Sequence, residues 1–148
     1  MKAQKGVSMK AQQLHEDTFL KILWDDQSRV IGIDWKEGTA SMTDEDFKKE
    51  LMLFADHVEA KKAHGILVDV AGFRHRPGPD VDEWRLKNIS GRYAGAGVRR
   101  FAFLFPESVT TPPVMKSSPR EKFETRSFNR PDEAMAWLKA AYQEAAVS

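Results

Sequence analysis

The stretch that decides the fold is His64-Gly65-Ile66-Leu67-Val68-Asp69-Val70-Ala71-Gly72-Phe73-Arg74-His75-Arg76-Pro77-Gly78-Pro79-Asp80-Val81-Asp82-Glu83-Trp84. Ile66 to Val70 is a short, continuous apolar run, as expected of a central strand covered on both faces. Asp69 marks its polar exit, a loop follows, and Asp80 is placed to cap a helix. In an open α/β sheet, ligands gather outside the carboxyl ends of strands and beside helix N-termini, which makes this stretch the first place to look for a site.

Outward from it, the pattern is regular. Upstream, Thr18 to Trp24 and Val30 to Trp35 alternate around the polar turn Asp25-Asp26-Gln27-Ser28, which predicts an antiparallel hairpin. Leu20, Ile22 and Trp24 share one face of the first strand, and Ile31, Ile33 and Trp35 one face of the second. Thr43 reads as an N-cap, with Asp44, Glu45 and Asp46 complementing the helix dipole. Phe47, Leu51, Phe54, Ala55 and Val58 then form a core-facing stripe that Gly65 is expected to close.

Downstream, a helix from Asp80 carries Leu86, Ile89 and Tyr93 on one face. Trp84, nine residues before Tyr93, falls on the opposite side, with Asn88 one turn above it. Phe101 to Phe105 is a second apolar strand ended by Pro106. Residues 106–122 form a long proline-containing loop. Phe123 to Phe128 is the last strand, and Asn129 is placed to cap a closing helix with Ala134, Trp137, Leu138, Ala141 and Ala145 inward. The order is β-β-α-β-α-β-β-α, an α/β domain with a mixed sheet of about five strands. Residues 1–14 are polar, contain Met-Lys-Ala-Gln twice (at Met1 and Met9), and read as a flexible tail before a domain over 15–145.

Composition excludes several functions. The 148 residues carry a net charge of +1 and no cysteine, so a disulfide framework, a thiolate nucleophile and a cysteine-bound metal are excluded, and there is no overall basic footprint for nucleic acid. No apolar run reaches the ~18 residues of a membrane span, and the N-terminus lacks a signal-peptide core. The expected location is cytoplasmic. His15, His57, His64 and His75 lack metal-ligand spacing, so neither a metal nor a cofactor is expected. Gly91, Gly95 and Gly97 follow no strand and make no phosphate loop. Lys116, Arg120 and Lys122 have no interleaved aromatics to suit nucleic acid.

Three stretches together resemble the STAS domain, and more closely its SpoIIAA-like branch of small bacterial proteins. They are Trp35 with Met42-Thr43-Asp44-Glu45-Asp46-Phe47-Lys48; Gly65-Ile66-Leu67-Val68-Asp69 with Trp84; and Gly97 to Phe103 with Phe123-Glu124-Thr125-Arg126 and Asp132-Glu133-Ala134 before Trp137-Leu138. The resemblance covers about residues 15–142. It implies a single STAS-like domain with helices mainly on one face and the other face partly open. In the antagonist branch a phosphorylated serine opens the helix after the central strand. Here Pro77, Gly78, Pro79 and Asp80 stand at that place without a hydroxyl, so no phosphorylation switch is expected. The related CRAL-TRIO lipid carriers suggest an apolar ligand by analogy.

The candidate binding residues are Trp84, Arg74, His75, Arg76, Asp69 and Asn88. Arg74, His75 and Arg76 beside a helix start suit an acidic head group. Asp69 is expected to anchor the loop through backbone amides or to orient His75 as a base. Trp84, off the core stripe, suits a pocket wall or a partner contact. Trp137 is expected in the core, and Trp24 and Trp35 in the core or a self-association face. The expected function is a non-enzymatic regulatory or protein-interaction module, self-associating or bound to a regulatory partner; the alternative is a binder of a small amphipathic or lipid-like ligand. A hydrolase built on His75 and Asp69 is the third reading.

Overall fold

The computed structural model describes residues 11–115 and 121–147, the last four as backbone only. Residues 1–10 of the polar N-terminal segment, Lys116, Arg120 and the Ala145 side chain lie outside the described residues. The strands are β1 (Gln12–Glu16), β2 (Leu20–Asp25), β3 (Val30–Trp35), β4 (Gly65–Asp69), β5 (Arg100–Leu104) and β6 (Glu124–Phe128). The helices are α1 (Asp44–Lys61), α2 (Val81–Asn88), α3 (Ser90–Ala96) and α4 (Pro131–Val147), with a 3-10 turn at Glu37–Ser41.

The six strands lie side by side in chain order. β1, β2 and β3 pair antiparallel, and β3, β4, β5 and β6 pair parallel. The sheet thus has one strand more than the five expected. β1 (Gln-Gln-Leu-His-Glu) starts inside the segment read as a tail. It is an edge strand whose residues are exposed or half-buried, so it lacks the apolar alternation that marks a strand in sequence.

Side-chain alternation divides the strands between two cores. Leu20, Ile22, Trp24, Ile31, Ile33, Trp35, Ile66 and Val68 face α1 and α3, packing on Leu51, Phe54, Val58, Ile89 and Tyr93. Trp24 and Trp35 are therefore core residues. On the opposite face, Val30, Leu67, Ala102 and Leu104 pack on Ala134, Met135 and Leu138 of α4. The expected one-sided helix layer holds for α1, α2 and α3 only, because α4 crosses to cover the other face of β4, β5 and β6. Trp137 sits at the margin of this second core with Phe128, and its ring is flanked by the Arg100 and Arg126 guanidinium carbons at 5.0 and 4.9 Å.

Local signals explain the best-formed helix. The Thr43 side chain accepts from the Asp46 N–H, and the Asp46 side chain accepts from the Thr43 N–H, a reciprocal capping box. α1 ends at Lys61, within the Lys61–His64 stretch where its end is expected, but the left-handed cap is Lys62, at φ 54°, and Gly65 already belongs to β4. Two other caps also differ. Asp80 precedes α2 but makes no side-chain cap bond. Asn129 stands one residue before the position that precedes α4, which begins at Pro131, and its Nδ2 donates to the Val109 carbonyl at 2.8 Å.

The single helix expected after Asp80 is two. Ile89 (φ −118°, ψ −50°) breaks the chain between α2 and α3, and that break resolves the opposed aromatics. Trp84 and Tyr93 lie on different helices, each turned toward the same core.

Candidate functional site

At the carboxyl edge of the parallel strands, α4 begins three residues beyond β6 and opens a cleft of about 870 Å³ on the side of the second core. Asp34 ends the inward run of β3 and Asp69 ends β4, and the two are direct register partners. Leu104, Phe105, Pro106, Ala71 and Pro131 supply the apolar part of the lining, with Glu107 and Asp132 at the exposed rim. Arg130, the cation of this lining, lies 3.8 Å from Asp132 and 3.5 Å from Glu133. The volume is in the range of sites for small organic ligands.

The electrostatics follow from the pairing. Burial raises the Asp34 pKa above the ordinary carboxylate value, and the neighbouring Asp69 charge raises it further. Asp69 Oδ1 accepts from the Ala71 N–H at 2.9 Å, which holds the chain as it leaves β4. Asp132 and Glu133 in the first turn of α4 offset the positive end of its dipole. A cleft with two acids on its wall and two at its rim favours a cationic or donor-rich ligand.

The candidates from the loop after β4 do not converge on this cleft. His75 lies on the α1 side, 5.6 Å from the Phe47 ring. Its Nε2–H donates to Asp44 Oδ1 at 2.8 Å, and the Gly78 N–H reaches the same carboxylate at 3.2 Å. Those bonds, the one from His75 foremost, hold the Asp44 pKa below its ordinary value. Asp44 is the first residue of α1, so this is a latch between the loop and the helix start.

Arg74 is likewise committed to the fold. Its guanidinium donates to the Ala71 carbonyl at 2.8 Å and to Glu37 at 3.2 Å, and its N–H donates to the buried Thr39 hydroxyl at 2.7 Å. Arg76 is exposed. Asp69 and His75 go to opposite sides of the sheet, which separates the acid and base that a hydrolase would need. Trp84 is half-buried against the first core with the Lys48 Nζ 5.5 Å from its ring, and Asn88 Nδ2 donates to the Trp84 carbonyl at 2.9 Å. Trp84 is thus partly covered and Asn88 exposed, both away from the residues that line the cleft.

Two groupings were not read from the sequence. One is Asp34 with Asp69, whose signal is an aspartate one residue before the end of β3 and another at the end of β4. The other is His15, Asp17 and Glu50, which come from β1, the turn after it and α1. His15 Nε2 lies 2.8 Å from Asp17 Oδ2, and Asp17 Oδ1 accepts from the amides of Phe19 at 2.8 Å and Leu20 at 3.1 Å. Glu50, 7% exposed, donates to Asp17. Burial, then this contact and the Asp17 charge, push the Glu50 carboxyl up to about 8. Burial works against Asp17 ionising, yet the bonds from Glu50, His15 and the two amides bring it down to about 2. No helix among the described residues is long and apolar enough to cross a membrane. No protein-family model, no curated protein and no solved structure matches this chain.

Proposed function

We propose that this chain is a non-enzymatic, STAS-like regulatory module that works by sensing a small amphipathic ligand in the carboxyl-edge cleft. The observation that carries the reading is the Asp34–Asp69 pair beside an apolar lining of Leu104, Phe105, Pro106 and Pro131. The ligand class is an amine or amidine with a short apolar body. This replaces the acidic head group that Arg74, His75 and Arg76 suggest in sequence, because Arg74 and His75 already bond to the carbonyls and carboxylates of their own loop and of α1. An ammonium group between two carboxylates gains charge-assisted hydrogen bonds, and the apolar body removes lining surface from water.

Sensing is favoured over action through an apolar partner face. Met52 and Val114 are the large apolar side chains left exposed among the described residues, and they lie on different elements. The test is a thermal-shift and native mass-spectrometry screen with alkylamines, diamines and amidines beside fatty acids as the contrasting class. Amines are expected to raise the melting temperature of wild type and to lose that effect in Asp34→Asn and Asp69→Asn, both of which keep side-chain shape. Stabilisation by fatty acids alone, or amine shifts that survive both variants, would overturn the reading.

A further inference from the structure

We infer that His15, Asp17 and Glu50 form a binding site for one first-row divalent metal ion of the zinc type, separate from the cleft. One ligand atom from each residue lies within 4.8 Å of the other two. One imidazole nitrogen and two carboxylate oxygens make a donor set that suits zinc, cobalt or manganese; calcium and magnesium prefer oxygen alone.

The surroundings orient these donors. Asp17 Oδ1 is held by the amides of Phe19 and Leu20, which leaves Oδ2 directed at His15. Such outer bonds fix a metal ligand before the ion arrives. The β1–β2 register shifts between Gln13 and His15, a local irregularity of the kind that re-aims a side chain. Glu50 stands on the buried face of α1 beside Leu51 and Phe54, where packing by itself calls for an apolar residue.

A dication here would take the His15 Nε2 lone pair, with the ring proton carried on Nδ1, and one oxygen from each of Asp17 and Glu50, any carboxyl proton leaving to solvent, with no redox change. Three protein donors leave at least one coordination position for water.

The experiment uses the full chain, stripped with chelator and dialysed, titrated with Co²⁺ by visible absorption and with Zn²⁺ by calorimetry. One equivalent is expected to bind, with Co²⁺ giving the visible bands of a nitrogen- and oxygen-ligated ion. Glu50→Gln keeps a donor to Asp17 and hence the fold, checked by circular dichroism, and His15→Ala removes the nitrogen. Each is expected to weaken binding at least about tenfold, the low end of what disturbing a metal site costs, with Asp34→Asn binding as wild type does. No saturable binding by wild type, undiminished binding by Glu50→Gln and His15→Ala, or loss of binding in Asp34→Asn would each overturn the inference.

Discussion

Asp44 has two roles at one carboxylate: it opens α1, and it accepts from His75 and the Gly78 amide of the loop after β4. Asp44→Ala removes the acceptor but leaves the Thr43 capping box intact. The expected outcome is faster amide exchange and proteolysis confined to residues 73–80, with α1 still protected; uniform loss of protection along α1 would refute the latch. Thr43→Ala acts on the helix itself and is expected to cost about 1 kcal/mol in urea unfolding. Glu50 and Asp17 set a pH dependence with opposite signs. Because the Glu50 carboxyl is raised from 4.5 to about 8, the unfolded chain releases its proton first, so stability falls as pH rises across that window. Asp17, lowered from 3.8 to about 2, contributes stability above its ordinary value that is lost as pH falls through the native one. Asp46 adds a further negative charge facing Glu50. Urea midpoints measured with pH are therefore expected to decline from about pH 4.5 to about pH 8, and Glu50→Gln to flatten that decline. An unchanged slope in the variant would count against a neutral Glu50.

Among the elements, α1 was the most legible in sequence and the α2–α3 pair the least. The α1 stripe and cap are local: Phe47 to Val58 recur at helical spacing, and Thr43 and Asp46 stand three residues apart. The break at Ile89 has no such signature; it leaves Trp84 and Tyr93 on separate helices that both pack on one core. β1 was hidden for a different reason, since an edge strand of polar residues needs a partner strand rather than an apolar face. α4 was legible as a helix, but its choice of sheet face was not. Leu138 is fully buried in the second core, and Leu138→Ala is expected to cost roughly 2–5 kcal/mol, measurable by urea unfolding. A loss under 1 kcal/mol would mean that α4 packs loosely. Gly72 tests the exit from β4: a Cβ there would press on the Trp35 carbonyl oxygen and the Lys36 backbone, neither of which can rotate away. Gly72→Ala is expected to destabilise the fold and displace the Arg74–Thr39 bond.

At the scale of the whole molecule, the strands run in chain order, so the sheet has no reversal of strand order to create a crevice. The cleft arises instead because α4 leaves β6 at the carboxyl edge and turns under the opposite face. Its electrostatics give a pH signature. With the Asp34 pKa raised by burial and by Asp69, amine affinity is expected to rise with pH through a point above the ordinary carboxylate value. In Asp34→Asn that inflection disappears. Binding that is flat with pH in wild type would remove Asp34 from the site.

The sequence by itself determined the α/β class, the hairpin over Leu20–Trp35, the capped α1 and the apolar strands β4 and β5. Each of these rests on alternation, helical spacing or a cap within a few residues. Only the tertiary structure decided which side of the sheet each functional side chain serves. It took Asp69 away from His75 and set it beside Asp34, and it brought Glu50 to His15 and Asp17 from a different element. The physical reason is that sheet register and helix crossing depend on burying the whole apolar surface at once, and residues 33 or more positions apart meet only after that burial is complete.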